Sequence, residues 1–152
     1  MTKAEIVAIL QGPLEPYPKA VQKLAIDGTW KLAQRLDPAD LLVYDNYNFV
    51  VSGFTFTKKP SEAPLSLAVA WDHVTLCFLQ GIHLSDPDKR LKGGGNLVRN
   101  IQLDSLDLLD DPEVSNLIDQ AVARAKKGGS EGKAVLQSVS AKKRRPKPVD
   151  SK

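Results

Sequence analysis

Between Leu65 and Phe78 the chain alternates apolar and polar side chains twice, and a period of two buries one face only in a strand. Leu65, Leu67, Val69 and Trp71 interleave with Ser66, Ala68, Ala70 and Asp72, and after Asp72-His73 the pattern resumes with Val74, Leu76 and Phe78. Two such runs across a short polar break predict an antiparallel hairpin. The flanking sequence extends the sheet. Leu41 to Tyr44 is a short apolar run followed by turn chemistry at Asp45-Asn46. Phe49 to Thr57 is rich in aromatic and β-branched residues, with Gly53 suited to a bulge. Lys58 to Pro64 reads as a loop, and a Gly- and charge-rich segment from Gly81 to Gly95 precedes a last strand from about Leu97 to Leu103. The expectation is an antiparallel sheet of about five strands.

Helical periods bracket this sheet. Thr2-Lys3-Ala4-Glu5 has capping-box spacing ahead of Ile6, Ile9 and Leu10, which predicts a short opening helix stopped by Gly12 and Pro13. After Pro16 and Pro18 a longer helix is expected to about Leu36, because Val21, Leu24, Ala25, Gly28, Leu32 and Leu36 share one face. Gly28, within that face, lets the helix approach the sheet closely at a cost of about 1 kcal/mol in helix propensity. Ile26, Trp30 and Ala33 lie opposite, to be covered either by the opening helix or by a second protomer in a homodimer. Asp111 caps a closing helix with Pro112 at its first position, and Val114, Leu117, Ile118, Ala121, Val122 and Ala125 recur at helical spacing until Lys126-Lys127-Gly128. Helix, strands, helix is an α+β order, with both long helices expected on one sheet face.

Charge divides the chain near Lys126. Residues 1–125 carry 12 Lys/Arg against 16 Asp/Glu, whereas residues 126–152 carry 9 against 2. A domain over residues 1–127 with a flexible basic tail over residues 128–152 is therefore expected. One cysteine, Cys77, excludes an intramolecular disulfide and a Cys-rich zinc site. A membrane helix needs roughly 20 apolar residues, far more than any run here, so no membrane partner and a cytoplasmic setting are expected.

Lys92-Gly93-Gly94-Gly95-Asn96 followed by Arg99 is the leading candidate site. Glycines let main-chain N–H groups converge on an anion, and Arg99, in phase with Ile101 and Leu103, needs a partner. That partner is either a phosphate or carboxylate ligand or one of Asp72, Asp86 and Asp88. The loop is not a nucleotide-binding P-loop, because no Gly-Lys-Ser/Thr follows a strand. Asp104, Asp107, Asp110, Asp111 and Glu113 concentrate negative charge ahead of the closing helix; part complements the helix dipole, and the remainder suits hard cations. His83, Asp86 and Asp88 lack diagnostic metal spacing, and Cys77 reads as a structural thiol. Lys142, Lys143, Arg144, Arg145 and Lys147 suit sequence-blind contact with nucleic acid, since no aromatic residue stands among them for base stacking.

The stretch Val74 to Gly81, then Leu84 to Asp88, then Leu91-Lys-Gly-Gly-Gly-Asn-Leu-Val-Arg-Asn-Ile-Gln-Leu103 resembles the YdhG-like domain family, a domain of unknown function. The resemblance extends over roughly residues 16–125. Arg99 matches that family's arginine position, while Asn96 and Asn100 stand where it often has lysine and histidine. The family's helix-sheet-helix order is similar to that of frataxin, which implies iron as an alternative cofactor and the acidic group as its ligands. Without a nucleophile-base pair, metal-ligand set or cofactor fingerprint, the reading is of no enzyme and no resident cofactor. The expected function is a non-enzymatic domain binding a small anionic ligand or a protein partner. Its alternative is a frataxin-like iron-binding protein or metal chaperone.

Overall fold

A computed structural model describes residues 1–46 and 48–140. Helix α1 spans Lys3–Leu14 and opens with the capping box: the Thr2 hydroxyl accepts from the Glu5 N–H at 3.1 Å, and the Glu5 carboxylate accepts from the Thr2 N–H at 2.7 Å. Gly12 and Pro13 do not stop it but form its last turn, with Pro13 and Leu14 buried. A proline there removes one helical donor, a loss offset by packing on the core. Helix α2 spans Lys19–Arg35.

Five strands follow the expected order: β1 Asp40–Asp45, β2 Val50–Thr55, β3 Leu65–Val69, β4 Val74–Phe78 and β5 Arg99–Leu103. Each pairs antiparallel with the next, and β3 and β4 form the expected hairpin with Val69 opposite Val74. Helix α3, Pro112–Arg124, is capped by Asp111, whose carboxylate accepts from the N–H groups of Glu113 and Val114.

The register puts Val43, Phe54, Leu67, Leu76 and Ile101 on one face, and all three helices add their buried residues to the single core that these strands build. Gly28 sets the spacing of α2 above it. A Cβ at Gly28 would stand 3.2 Å from Leu67 Cδ1 and 3.5 Å from Leu103 Cδ2, which is the close approach expected of a glycine at this point. Beside it, the buried Thr29 and Ser52 hydroxyls share a hydrogen bond of 3.3 Å between α2 and β2. Helix α1 packs along α2, with Lys3 and Asp27 paired at 3.3 Å, and Ile9, Ile26 and Trp30 are half-buried against the chain's own core.

The C-terminal boundary differs from the sequence expectation. In place of a flexible tail from residue 128, Ala134–Val139 form a sixth strand, β6, parallel to β1, so the sheet is mixed and ordered β5-β4-β3-β2-β1-β6. The intervening chain is fastened too. Gly128 and Ser130 N–H groups donate to Phe56 O, Gly132 N–H to Pro38 O, Leu41 N–H to Lys133 O, and Ser140 N–H to Asp45 O. The physical reason is the edge of β1, whose main-chain groups would otherwise face away from β2 unpaired. Averaging the charge of residues 126–152 hides the uncharged strand former Ala-Val-Leu-Gln-Ser-Val among its cations.

One buried carboxylate joins this segment to the core. Asp40 is 2% exposed, and its Oδ1 accepts from the N–H groups of Glu131 and Lys133, each at 2.9 Å, while Oδ2 meets Lys58 Nζ at 3.0 Å. Burial pushes its carboxyl up, but the two main-chain donors and the Lys58 ammonium outweigh burial and hold it below its ordinary value of 3.8. Its stabilising contribution is therefore complete above that ordinary value and is lost as pH falls through the lower folded one. Asp40→Asn is expected to lower unfolding stability at neutral pH by about 2–3 kcal/mol and to flatten the acid limb of the stability profile, as measured by urea titration at several pH values. Deleting residues 128–152 removes both donors and exposes the β1 edge, so the denaturation midpoint is expected to fall; an unchanged midpoint would show that this segment is dispensable.

Candidate functional site

The glycine loop closes on itself. Lys92 N–H and O both bond to Asn100 across from β5, at 2.8 and 2.9 Å, which pins the loop's first residue to the strand. Gly93 takes φ +124°, a conformation that needs glycine, whereas Gly94 and Gly95 face open space. Arg99 Nη1 donates to Gly95 O at 2.6 Å and to Val98 O at 2.8 Å. Its partner is thus its own loop's carbonyls, not one of the aspartates. Asp72 pairs with His73 Nδ1 at 2.7 Å, and Asp86 accepts from the N–H groups of Arg90 and Leu91. Asn96 is exposed with the rest of the loop.

The acidic residues are dispersed among protein partners. Asp104 accepts from Gln102 Nε2 at 2.9 Å, and Asp110 pairs with Lys31 at 2.6 Å. Asp111 and Glu113 each stand 3.2 Å from Arg90 Nη1, while Asp111 also caps α3. Among the described residues no three His, Cys, Asp or Glu side chains are placed to hold a metal ion. Asp104, Asp107, Asp110, Asp111 and Glu113, read together as a cation site, are therefore not brought to one point. The reason is that Lys31, on α2, and Arg90, in the loop before β5, reach them through the tertiary fold. Burial pushes the Cys77 thiol up, away from the thiolate a nucleophile needs. Lys142, Lys143, Arg144, Arg145 and Lys147 lie outside the described residues.

The better-formed site is a cleft of about 290 Å³ where the 60–64 loop, the end of β4 and the last turn of α3 meet. Its buried apolar lining includes Phe78, Leu84 and Ala121, and Ser61, Glu62, Gln80, Arg124 and Lys126 supply its polar groups. Glu62 is already engaged. Its carboxylate accepts from the Thr57 hydroxyl at 2.6 Å and meets Lys126 at 3.3 Å, contacts that hold it below the ordinary carboxylate range. Lys127 turns back to the end of α3, donating to Val122 O and Ala125 O, with its Nζ 5.2 Å from the Phe56 ring centre. Arg124, by contrast, lines the cleft as an exposed residue whose side chain makes no ion pair or hydrogen bond among the described residues. An apolar floor beside an uncommitted guanidinium suits an anion with an apolar body. The cleft lining holds no histidine or cysteine to support acid-base or nucleophilic chemistry.

Sequence reasoning missed this cleft because Phe78, the 60–64 loop and Arg124 are distant in the chain, and Arg124 reads there as a helix-end cation. Compared with known proteins, the chain matches no protein-family model, no curated protein and no solved structure.

Gly81 stands between the cleft and the glycine loop. A Cβ there would stand 2.5 Å from Arg99 Cβ and 2.8 Å from Arg99 N, so only glycine lets the chain after β4 cross the start of β5. Gly81→Ala is expected to destabilise the domain by about 1–3 kcal/mol, the range for forced overpacking, whereas Gly94→Ala stays within about 0.5 kcal/mol in a urea titration of both variants.

Proposed function

We propose that this α+β domain is a non-enzymatic binding module for a small anionic ligand with an apolar body, held at the cleft between the 60–64 loop, β4 and α3. The single observation that carries the reading is Arg124, a guanidinium without a protein partner at the edge of an apolar cleft. In this reading the ligand's carboxylate or phosphate takes a two-pronged hydrogen bond from Arg124, and its body covers Phe78 and Leu84. The glycine loop at Arg99 is then a structural closure beside the site, because Arg99 spends donors on Gly95 and Val98.

The likeness of Val74 to Leu103 to the YdhG-like family supports the same fold assignment, with the five-strand antiparallel part in the frataxin-like order. A cytoplasmic setting fits the lone free thiol of Cys77 and the lack, among the described residues, of a helix long and apolar enough to cross a membrane. The run from Lys142 to Lys147 supports nonspecific nucleic-acid contact by charge alone. The iron alternative has no comparable observation behind it, since Asp104, Asp110, Asp111 and Glu113 each have a protein partner.

Thermal-shift titration with phenyl phosphate and benzoate, against inorganic phosphate as a control, tests this. A ligand at 100 times its dissociation constant stabilises by about 2.7 kcal/mol, which corresponds to a rise of roughly 5–10 °C in a domain of this size. Arg124→Ala is expected to abolish the rise, and Arg99→Ala to keep it. Loss of the rise in Arg99→Ala with retention in Arg124→Ala would move the site to the glycine loop, and no rise with either apolar anion would overturn the proposal.

A further inference from the structure

We propose that the outer edge of β6 receives an extended acidic segment of another protein, which joins the sheet as a seventh strand. The sheet has two edges, and they are finished differently. At β5 the residue Lys92 pairs through both its main-chain groups with Asn100, so the loop covers that edge at Asn100. At β6 no further strand of the described residues pairs with the sheet, and helix α1 packs against the strand. Lys133 O accepts from Leu41 N–H, and alternation along a strand then turns the N–H and C=O of Ala134 and Leu136 away from β1. These are unpaired groups aligned for a further strand.

The side chains make the same case. Edge strands that avoid partners carry lysine, proline or a bulge; Ala134–Val139 contains no charged residue and no proline, and its one register shift against β1 falls after Leu136, beyond the two outward residues. Val135, Leu136 and Val139 are 41%, 46% and 51% exposed, so an added strand finds apolar contacts as well as main-chain bonds.

Charge selects the occupant. The strand is flanked by Lys133 before it and by Lys142, Lys143, Arg144, Arg145 and Lys147 after it, with no acidic residue between Glu131 and Lys147; Lys126 and Lys127 are held away at the cleft, by Glu62 and by the end of α3. Two copies joined edge to edge would bring two such basic segments together, which opposes self-association. An acidic strand gains attraction from the same flanks. This surface is separate from the anion cleft, and its test is independent of that reading.

The test uses the full chain and a fluorescein-labelled synthetic peptide, Glu-Asp-Val-Thr-Val-Thr-Val-Asp-Glu, with a peptide of the same core flanked by serines as a control. Fluorescence anisotropy is expected to show binding of the acidic peptide, weaker binding of the serine-flanked one, and loss of affinity as salt rises. Leu136→Pro removes an outward N–H that β1 does not use, so it is expected to weaken binding by roughly tenfold. Hydrogen exchange on the unaltered protein supplies a second reading that needs no variant: the Ala134 and Leu136 amides are expected to slow when the peptide is added. No binding, no slowing of those amides, or equal binding by the two peptides would overturn the proposal. Equal affinity in a folded Leu136→Pro would assign the binding to the basic flanks alone and overturn it. Sedimentation showing a dimer that Leu136→Pro disrupts, without peptide binding, would give the edge to a second copy instead and likewise overturn it.

Discussion

The seating of α2 on the sheet at Gly28 is the contact around which the other elements are arranged. With Leu67 and Leu103 directly beneath it, the helix approaches strands that are not neighbours in sequence, and Thr29 adds a hydrogen bond to Ser52 on β2. A larger side chain at that point would lift the helix from Leu67 and open space that apolar side chains could not fill without strain. Because α2 lies this close, α1 can pack along it on one side and α3 on the other. The latter junction is tied by Arg35, whose Nη2 reaches Asp119 at 2.7 Å and Ser115 O at 2.8 Å. The cleft lies where the last turn of α3 meets the end of β4 and the 60–64 loop.

The C-terminal segment shows how one buried charge can settle the fate of a polar stretch. Asp40 has lost most of its contact with water, a costly state for a carboxylate unless donors surround it. Lys58 provides one donor, and the N–H groups of Glu131 and Lys133 provide two more. The main chain after Lys133 is thereby delivered to the edge of β1, and the apolar run Ala134–Val139 continues as a strand. Local composition favours solvent for this segment; the carboxylate and the unpaired strand edge together favour the sheet.

The cations illustrate a related point. Arg99, Arg90 and Lys31 are each matched by carbonyls or carboxylates once the chain is folded. Matching of this kind fixes loops and leaves little charge for a ligand. Arg124 is the contrasting case, and its value to a binding site comes from what its neighbours do: Glu62 is taken by Thr57 and Lys126, so the nearest carboxylate of the cleft is already engaged.

Strong local periodicity made much of the architecture legible from the sequence. The two-residue alternation fixed the β3–β4 hairpin, because a slip of one position would turn Leu67 and Leu76 to the wrong face. The capping chemistry of Thr2 and Asp111 set where α1 and α3 begin, and Gly28 announced a close approach before the partner strand was known. These features depend on residues within a few positions of one another, which is why sequence alone carries them. What tertiary structure decided rests on residues far apart in the chain. The basic segment became β6 because Asp40 and the β1 edge, some 91 to 93 residues earlier, needed donors and a partner. Arg99 was spent on carbonyls of its own loop, Asp110 went to Lys31, and Asp111 and Glu113 went to Arg90, because the fold brings these groups together from distant parts of the chain. The cleft at Arg124 exists only where three separate segments meet, and no local pattern records such a meeting.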